Sequence, residues 1–310
     1  CTCIWSIIGN MLAESVFLAL GLLSFSPARS MPTTHLPVAK FVAPQHQAPV
    51  RLHGSTASVV TTGQAAALVD GKSGAILSSH DGARVLPMAS LTKLMTAMVV
   101  LDAKGDLDEP IELLKEDEPL EGRVVIGRGE TLTRRQLLQA LLIGSVNSAG
   151  NALARSTPGG KEAFVKSMNA KAEELGLTSA RFTDPTGLDR TNVGSAQDVA
   201  FMLRSALFYN DIREITKQSS VDLTGKTGRR YVIQSTNLLL DSFLNKKPYT
   251  ILAGKTGSLP EAGFCFAQAV QDGEGNELIA VTLGSTDHFS RYQDVKSLTA
   301  WGFESFGWQK

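Results

Sequence analysis

Apolar residues recur at Leu91, Leu94, Met95, Met98 and Val99, the spacing of a helix that buries one stripe. The segment ahead, Asp81 to Pro87, reads as a loop, so Ser90 is expected as the first residue of that helix, which closes near Lys104-Gly105. Two short runs, Ala65 to Asp70 and Ala75 to Ser79, flank a Gly-Lys-Ser-Gly turn and predict a hairpin. Arg134 to Ile143 reads as an apolar helix that halts at Gly144-Ser145-Val146-Asn147 and resumes from Ala149 to Arg155. Lys161 to Leu175 carries Phe164, Met168, Ala172 and Leu175 on one stripe and closes at Gly176. Gln197 to Leu207 predicts a further helix, and Val124 to Ile126 a short strand before the Gly127-Arg128-Gly129 turn. Toward the end, Tyr249 to Ala253, Phe264 to Val270 and Leu278 to Leu283 read as strands, followed by a helix from Tyr292 to Trp308. Strands at both chain ends with helices between them predict an α+β fold. One antiparallel sheet is built from both ends, with flanking helices and a helical subdomain.

The first 28 residues carry a single charge, Glu14, and an apolar run from Val16 to Phe25 followed by small residues. They read as a signal peptide cleaved after Ala28, or as an uncleaved membrane anchor; either way the body is exported. From Arg29 to Gly63 the composition turns to Pro, Thr, Gln and His, which predicts a flexible linker, with one domain from 64 to 310. Lysine plus arginine equals aspartate plus glutamate at 30 each, and no basic run occurs, so nucleic acid is not the expected partner. Of three cysteines only Cys265 lies in the body, where it reads as a packed core residue, so the body has no internal disulfide. No metal-ligand spacing appears, and neither metal nor cofactor is expected.

The chemistry begins at Ser90-Leu-Thr-Lys93. A serine at a helix mouth, with a lysine amine one turn along the same face, has the parts of a nucleophile and its base. Serine is weak alone, and a free lysine with a pKa of about 10.4 is neutral in only about one molecule in a few thousand at neutral pH. Burial and a neighbouring cation both lower that value, and Lys255 is expected to supply much of the push across the site. Two more short motifs follow in order: Ser145-Val-Asn147 and Lys255-Thr256-Gly257. Lys226-Thr227-Gly228 spells the third motif as well. However, it precedes two arginines, whereas Lys255 follows an apolar strand, so Lys226 reads as a solvated loop charge. Asp184 and Asp189 read as turn formers.

These three motifs in this order, together with Pro185-Thr-Gly-Leu-Asp189, Ala262-Gly263 and Trp301-Gly-Phe303, resemble those of the serine D-alanyl-D-alanine carboxypeptidases. These are the low-molecular-mass penicillin-binding proteins, whose fold is β-lactamase/transpeptidase-like. The resemblance runs from about Ala65 to Trp308. It implies that Ser90 attacks the D-Ala–D-Ala carbonyl of peptidoglycan stem peptides, with Lys93 as base and Ser145 passing a proton to the departing amine. Asn147 would hold substrate and orient Lys93. The backbone N–H groups of Ser90 and Ser258 would hold the oxyanion, and Lys255, Thr256, Gly257 and Arg291 would line the strand and pocket that take the terminal carboxylate. β-Lactam antibiotics would acylate the same serine. A β-lactamase of class A needs a Glu-x-x-Leu-Asn phrase, which Glu173-Glu174-Leu175-Gly176 does not match. A catalytically silent sensor module is disfavoured by the intact Ser90, Lys93, Ser145, Asn147 and Lys255. Relatives that stop soon after Trp-Gly-Phe resemble the DD-endopeptidases, and Thr236 stands where some carboxypeptidases have Arg. A carboxypeptidase is the first expectation and an endopeptidase the alternative, acting in the periplasm or another extracytoplasmic space.

Overall fold

The computed structural model describes residues 46–52, 59–119 and 124–309. Its centre is a five-stranded antiparallel sheet built from β2 (Ala65–Asp70), β3 (Ile76–His80), β10 (Thr250–Leu259), β11 (Gly263–Gln271) and β12 (Glu277–Ser285), in the order β10-β11-β12-β2-β3. The β12–β2 pairing, with Ala280 opposite Leu68, joins the late strands to the early hairpin. Strand β2 is buried at every residue because both faces of the sheet are covered. Alternation sends Ala65, Ala67 and Val69 into the helical core and Ala66 and Leu68 to the other face. There they meet Val295 and Leu298 of the final helix, α7 (Ser290–Ser305).

On the first face lie α1 (Thr92–Asp102), α2 (Arg134–Ile143), α3 (Asn147–Ser156), α4 (Gly160–Glu174), α5 (Ala196–Ala206) and α6 (Asn210–Thr216). Helix α1 is central and buried on all sides from Thr92 to Val100, the surroundings of a helix that is apolar beyond one stripe. Helix α2 begins with Thr133 and Gln136 closing reciprocal hydrogen bonds on the first turn, and Ser195 with Asp198 does the same for α5. Four two-stranded ribbons complete the structure: β1 (Val50–Arg51) with β13 (Phe306–Gly307), β4 (Leu86–Pro87) with β7 (Val193–Gly194), β5 (Pro110–Glu112) with β6 (Thr131–Thr133), and β8 (Ser220–Thr224) with β9 (Arg230–Gln234).

Several local expectations need correction. Ser90 belongs to a tight 3-10 turn, Ala89–Leu91, that precedes α1. Helix α1 stops at Asp102, before the left-handed Lys104. Val124 to Ile126 is no strand: Ile126 is a buried plug whose carbonyl accepts from Ser148 Oγ. The strand of that region is β6, which has a partner in β5. The β8–β9 hairpin, whose first strand alternates polar and apolar residues ahead of the 225–228 turn, and α6 lie outside the expected elements. The expected linker is tied down in its described parts. Leu52 N donates to Ser305 O, β1 pairs with β13, and Thr62 donates twice to Asp294. The expected signal or anchor segment, 1–28, lies outside the described residues.

Candidate active site

The site forms where three pieces of different origin converge: the Ala89–Leu91 turn with α1, the α2–α3 junction, and edge strand β10. Burial of α1 on every side takes Lys93 fully out of water. A buried ammonium needs three acceptors, and Lys93 has them: Ser90 Oγ at 2.8 Å, Asn147 Oδ1 at 2.7 Å and the Thr186 carbonyl at 2.6 Å. Burial pushes the amine down to about 7 from 10.5, with the negative charge of Asp184 working against the fall. When the amine is neutral, two N–H groups still serve Asn147 and Thr186, and the lone pair is left facing the Ser90 hydroxyl. The geometry is that of a base aimed at a nucleophile.

Ser145 sits in the junction with φ +57°, a left-handed conformation uncommon for a residue with a side chain. Its hydroxyl accepts from Lys255 Nζ at 2.9 Å, and the same amine donates to the Thr256 carbonyl at 2.9 Å. Lys255 is 1% exposed. Burial first, then the charges of Lys93 and Arg291, hold its amine well below the ordinary value. The expectation that Lys255 drives Lys93 down is therefore corrected: loss of water is the leading cause for both amines.

Strand β10 lies close against the nucleophile turn because of Gly257. A Cβ there would stand 3.0 Å from the Met88 carbonyl and 3.0 Å from Ser90 N. Behind the strand Arg291, 4% exposed, donates to the Gly257 carbonyl at 3.0 Å and to the Tyr292 hydroxyl at 2.9 Å. Arg291 also meets His288 Nδ1 at 3.1 Å, and its charge lies 4.8 Å from the Tyr292 ring centre. Thr256 donates to Thr236 Oγ1 at 2.7 Å. A cavity of about 390 Å³ opens here, lined among others by Ser90, Ser145, Thr236, Thr256, Ser258 and Arg291. Its hydroxyls and the Arg291 guanidinium suit an anionic group beside a nucleophile.

All nine residues singled out in the sequence (Ser90, Lys93, Ser145, Asn147, Lys255, Thr256, Gly257, Ser258 and Arg291) come together at this one place. Lys226 does not: it is exposed in the β8–β9 connection, where Thr227 is held by the carboxylate of Glu130. Cys265 is buried and its thiol is pushed up to about 11. The sequence reading missed the Thr186 carbonyl, Asp184 as a charge felt by Lys93, and His288 and Tyr292 beside Arg291. A carbonyl acceptor has no side-chain signature. The spacing of His288 one helical turn before Arg291 was the available signal for the histidine. Among the described residues no cluster of three His, Cys, Asp or Glu side chains could hold a metal ion.

Comparison with known proteins bears on the family and the fold. A D-alanyl-D-alanine endopeptidase of Pseudomonas aeruginosa is 35% identical over 243 residues, covering 76% of each chain. A D-alanyl-D-alanine carboxypeptidase of Bacillus subtilis, DacF, is 29% identical, with 81% of this chain matched to 64% of the relative. Penicillin-binding protein D2 of Listeria monocytogenes, solved in a cefotaxime-bound form, superposes with a TM-score of 0.69 at 29% identity, covering 80% of this chain and 99% of that one. The sequence model of the D-alanyl-D-alanine carboxypeptidase peptidases matches residues 54–287, and the chain belongs to that family.

Proposed function

We propose that this chain is a serine DD-carboxypeptidase that removes the terminal D-Ala from peptidoglycan stem peptides through an acyl-enzyme on Ser90. The observation that carries the reading is the wholly buried Lys93 amine, 2.8 Å from Ser90 Oγ and oriented by two further acceptors. Neutral Lys93 takes the hydroxyl proton as Ser90 Oγ bonds to the scissile carbonyl carbon. The oxyanion is received by the backbone N–H groups of Ser90 and Ser258, fixed dipoles in a dry site. Ser145, hydrogen-bonded to Lys255, relays to the departing amine the proton that Lys93 took up, D-alanine leaves, and Lys93 is neutral again for the next step. Water then attacks the ester and releases the shortened peptide. Thr256, Lys255 and Arg291 recognise the substrate's terminal carboxylate, while Asn147 shares its side chain between Lys93 and the substrate backbone. β-Lactams load the same serine and stay there. The body acts outside the cytoplasm, in the periplasm or its equivalent, delivered by the 1–28 segment, with the part of 29–63 that precedes the docked Val50–Leu52 segment as tether.

A second reading is supported by the Pseudomonas relative: a DD-endopeptidase cutting cross-links rather than terminal D-Ala. Incubation of the purified protein with pentapeptide and with cross-linked muropeptides, with assay of free D-Ala, separates the two. Release of D-Ala from the pentapeptide is expected. Loss of cross-links with no D-Ala would replace the first reading by the second.

A further inference from the structure

The turn that supplies the Thr186 carbonyl is gathered around one carboxylate, and Thr96 of α1 also donates to the Pro185 carbonyl at 2.6 Å. Asp184 Oδ1 accepts from Thr186 N and Thr186 Oγ1, each at 2.6 Å, and from Gly187 N at 2.8 Å. Asp184 Oδ2 accepts from Asp189 N at 2.8 Å and from the Asn192 side-chain amide. Asn192, wholly buried, in turn accepts from Thr183 N at 3.0 Å. Gly187 lets this turn press on the nucleophile: a Cβ there would lie 1.9 Å from the Ala89 carbonyl oxygen. The turn therefore has two contacts with the machinery, the Ala89 backbone beside Ser90 and the amine of Lys93.

We propose that Asp184 is a positioning residue of the reaction: by clamping the 184–189 turn it aims the Thr186 carbonyl at Lys93 and seats its own carboxylate in the turn that meets that amine. Three acceptors fix Lys93. Ser90 Oγ must be free to change partner, so Asn147 Oδ1 and Thr186 O alone orient the lone pair during attack. Asn147 is held by its own helix start, whereas Thr186 has the clamp. The charge belongs to the same arrangement. Burial works against the carboxylate, but the hydrogen bonds from Thr186, Asp189 and Gly187 more than offset it and keep Asp184 ionised. Around Lys93 the charged groups are Lys255 from β10, with Arg291 of α7 facing that lysine, and Asp184 from the turn; α3 offers only the neutral Asn147. Asp184 is thus the anion of the set. Without it two buried amines and a guanidinium would share one site uncompensated.

This inference rests on Lys93 serving as base for Ser90 acylation, which the wild-type labelling rate and its pH dependence test without reference to Asp184. The experiment is the rate of acylation by a fluorescent penicillin from pH 5 to 9 in wild type, Asp184→Asn and Thr186→Val. The asparagine has no acceptor for Asp189 N and Asn192, so its plateau rate should fall by about tenfold as the amine loses its aim. Its acid limb should also move down by about one pH unit, because an anion near the amine is gone. A purely structural role would lower the plateau and leave the limb in place. Thr186→Val removes one clamp donor and keeps the charge, so its plateau should fall while its limb stays at the wild-type pH. An unmoved limb in Asp184→Asn overturns the charge role, and a Thr186→Val protein as fast as wild type overturns the clamp. If Asp184→Asn does not fold, the Thr186→Val plateau decides.

Discussion

The acid limb of Ser90 acylation should have its midpoint near pH 7, and the structure gives the reason. Lys93 is wholly buried on a helix that is itself enclosed, and its amine is pushed down from 10.5 to about 7. At pH 7 an ordinary lysine is neutral in about one molecule in three thousand, whereas this one is neutral in about half. Burial therefore raises the fraction of competent base by about three orders of magnitude. The sign follows from the chemistry: only the neutral amine can take the Ser90 proton, so the rate rises with pH through the midpoint and flattens above it. At pH 6 the rate should be about a tenth of the plateau. The assay is the initial rate of covalent labelling by a fluorescent penicillin at fixed, subsaturating concentration across pH 5 to 9. The protein's fold should be checked at each end by circular dichroism. A rate that does not vary over this range, or one still climbing tenfold per unit at pH 9, would refute the reasoning. The first would mean that Lys93 is not the titrating base, the second that it titrates like a solvated lysine.

The same shift makes stability depend on pH in a defined direction. Lys93 and Lys255 are both lowered in the fold, so between about pH 7 and the unfolded value near 10.5 the unfolded chain binds more protons. Urea midpoints should therefore rise from pH 7 toward 9.5, and Lys93→Met should flatten that rise. Gly257→Ala places a methyl 3.0 Å from Ser90 N and the Met88 carbonyl, so acylation should fall by roughly tenfold to a hundredfold, measured against an unchanged circular dichroism spectrum. Arg291→Gln removes a buried cation and its bond to the Gly257 carbonyl. The kcat/KM for a peptide with a free terminal carboxylate should drop by about tenfold or more, and a peptide amidated at that end should lose much less. Phe164→Ala empties a wholly buried site in α4 and should cost about 3–5 kcal/mol by urea unfolding, with the labelling chemistry of the folded fraction intact.

The elements that place the site were readable because their apolar spacing is long and consistent. Arg134–Ile143 matches its expectation residue for residue, and β11 and β12 extend theirs by two or three residues in all. The three motifs could be placed on a helix mouth, a helix junction and a strand, and the correct Lys-Thr-Gly was separable by the apolar run before it. What was not readable depends on partners distant in sequence. Val124–Ile126 has strand-like residues but no neighbouring strand to pair with, whereas β6 has few apolar residues and a partner in β5. Thr186 contributes through its carbonyl, which any residue would carry. The source of the Lys93 shift is hidden from the sequence for a related reason. A second lysine is visible in the sequence, but how completely α1 is enclosed is a property of the packed fold.

The central claim is that the hydroxyl of residue 90 becomes covalently loaded because the amine of residue 93 is held neutral beside it. Intact-mass analysis of the protein after exposure to benzylpenicillin at pH 8, followed by peptide mapping, tests it most directly. The account predicts a single adduct on the peptide containing Ser90, absent from Ser90→Ala and slowed by orders of magnitude in Lys93→Met. No adduct, or one that Ser90→Ala carries equally, would contradict it.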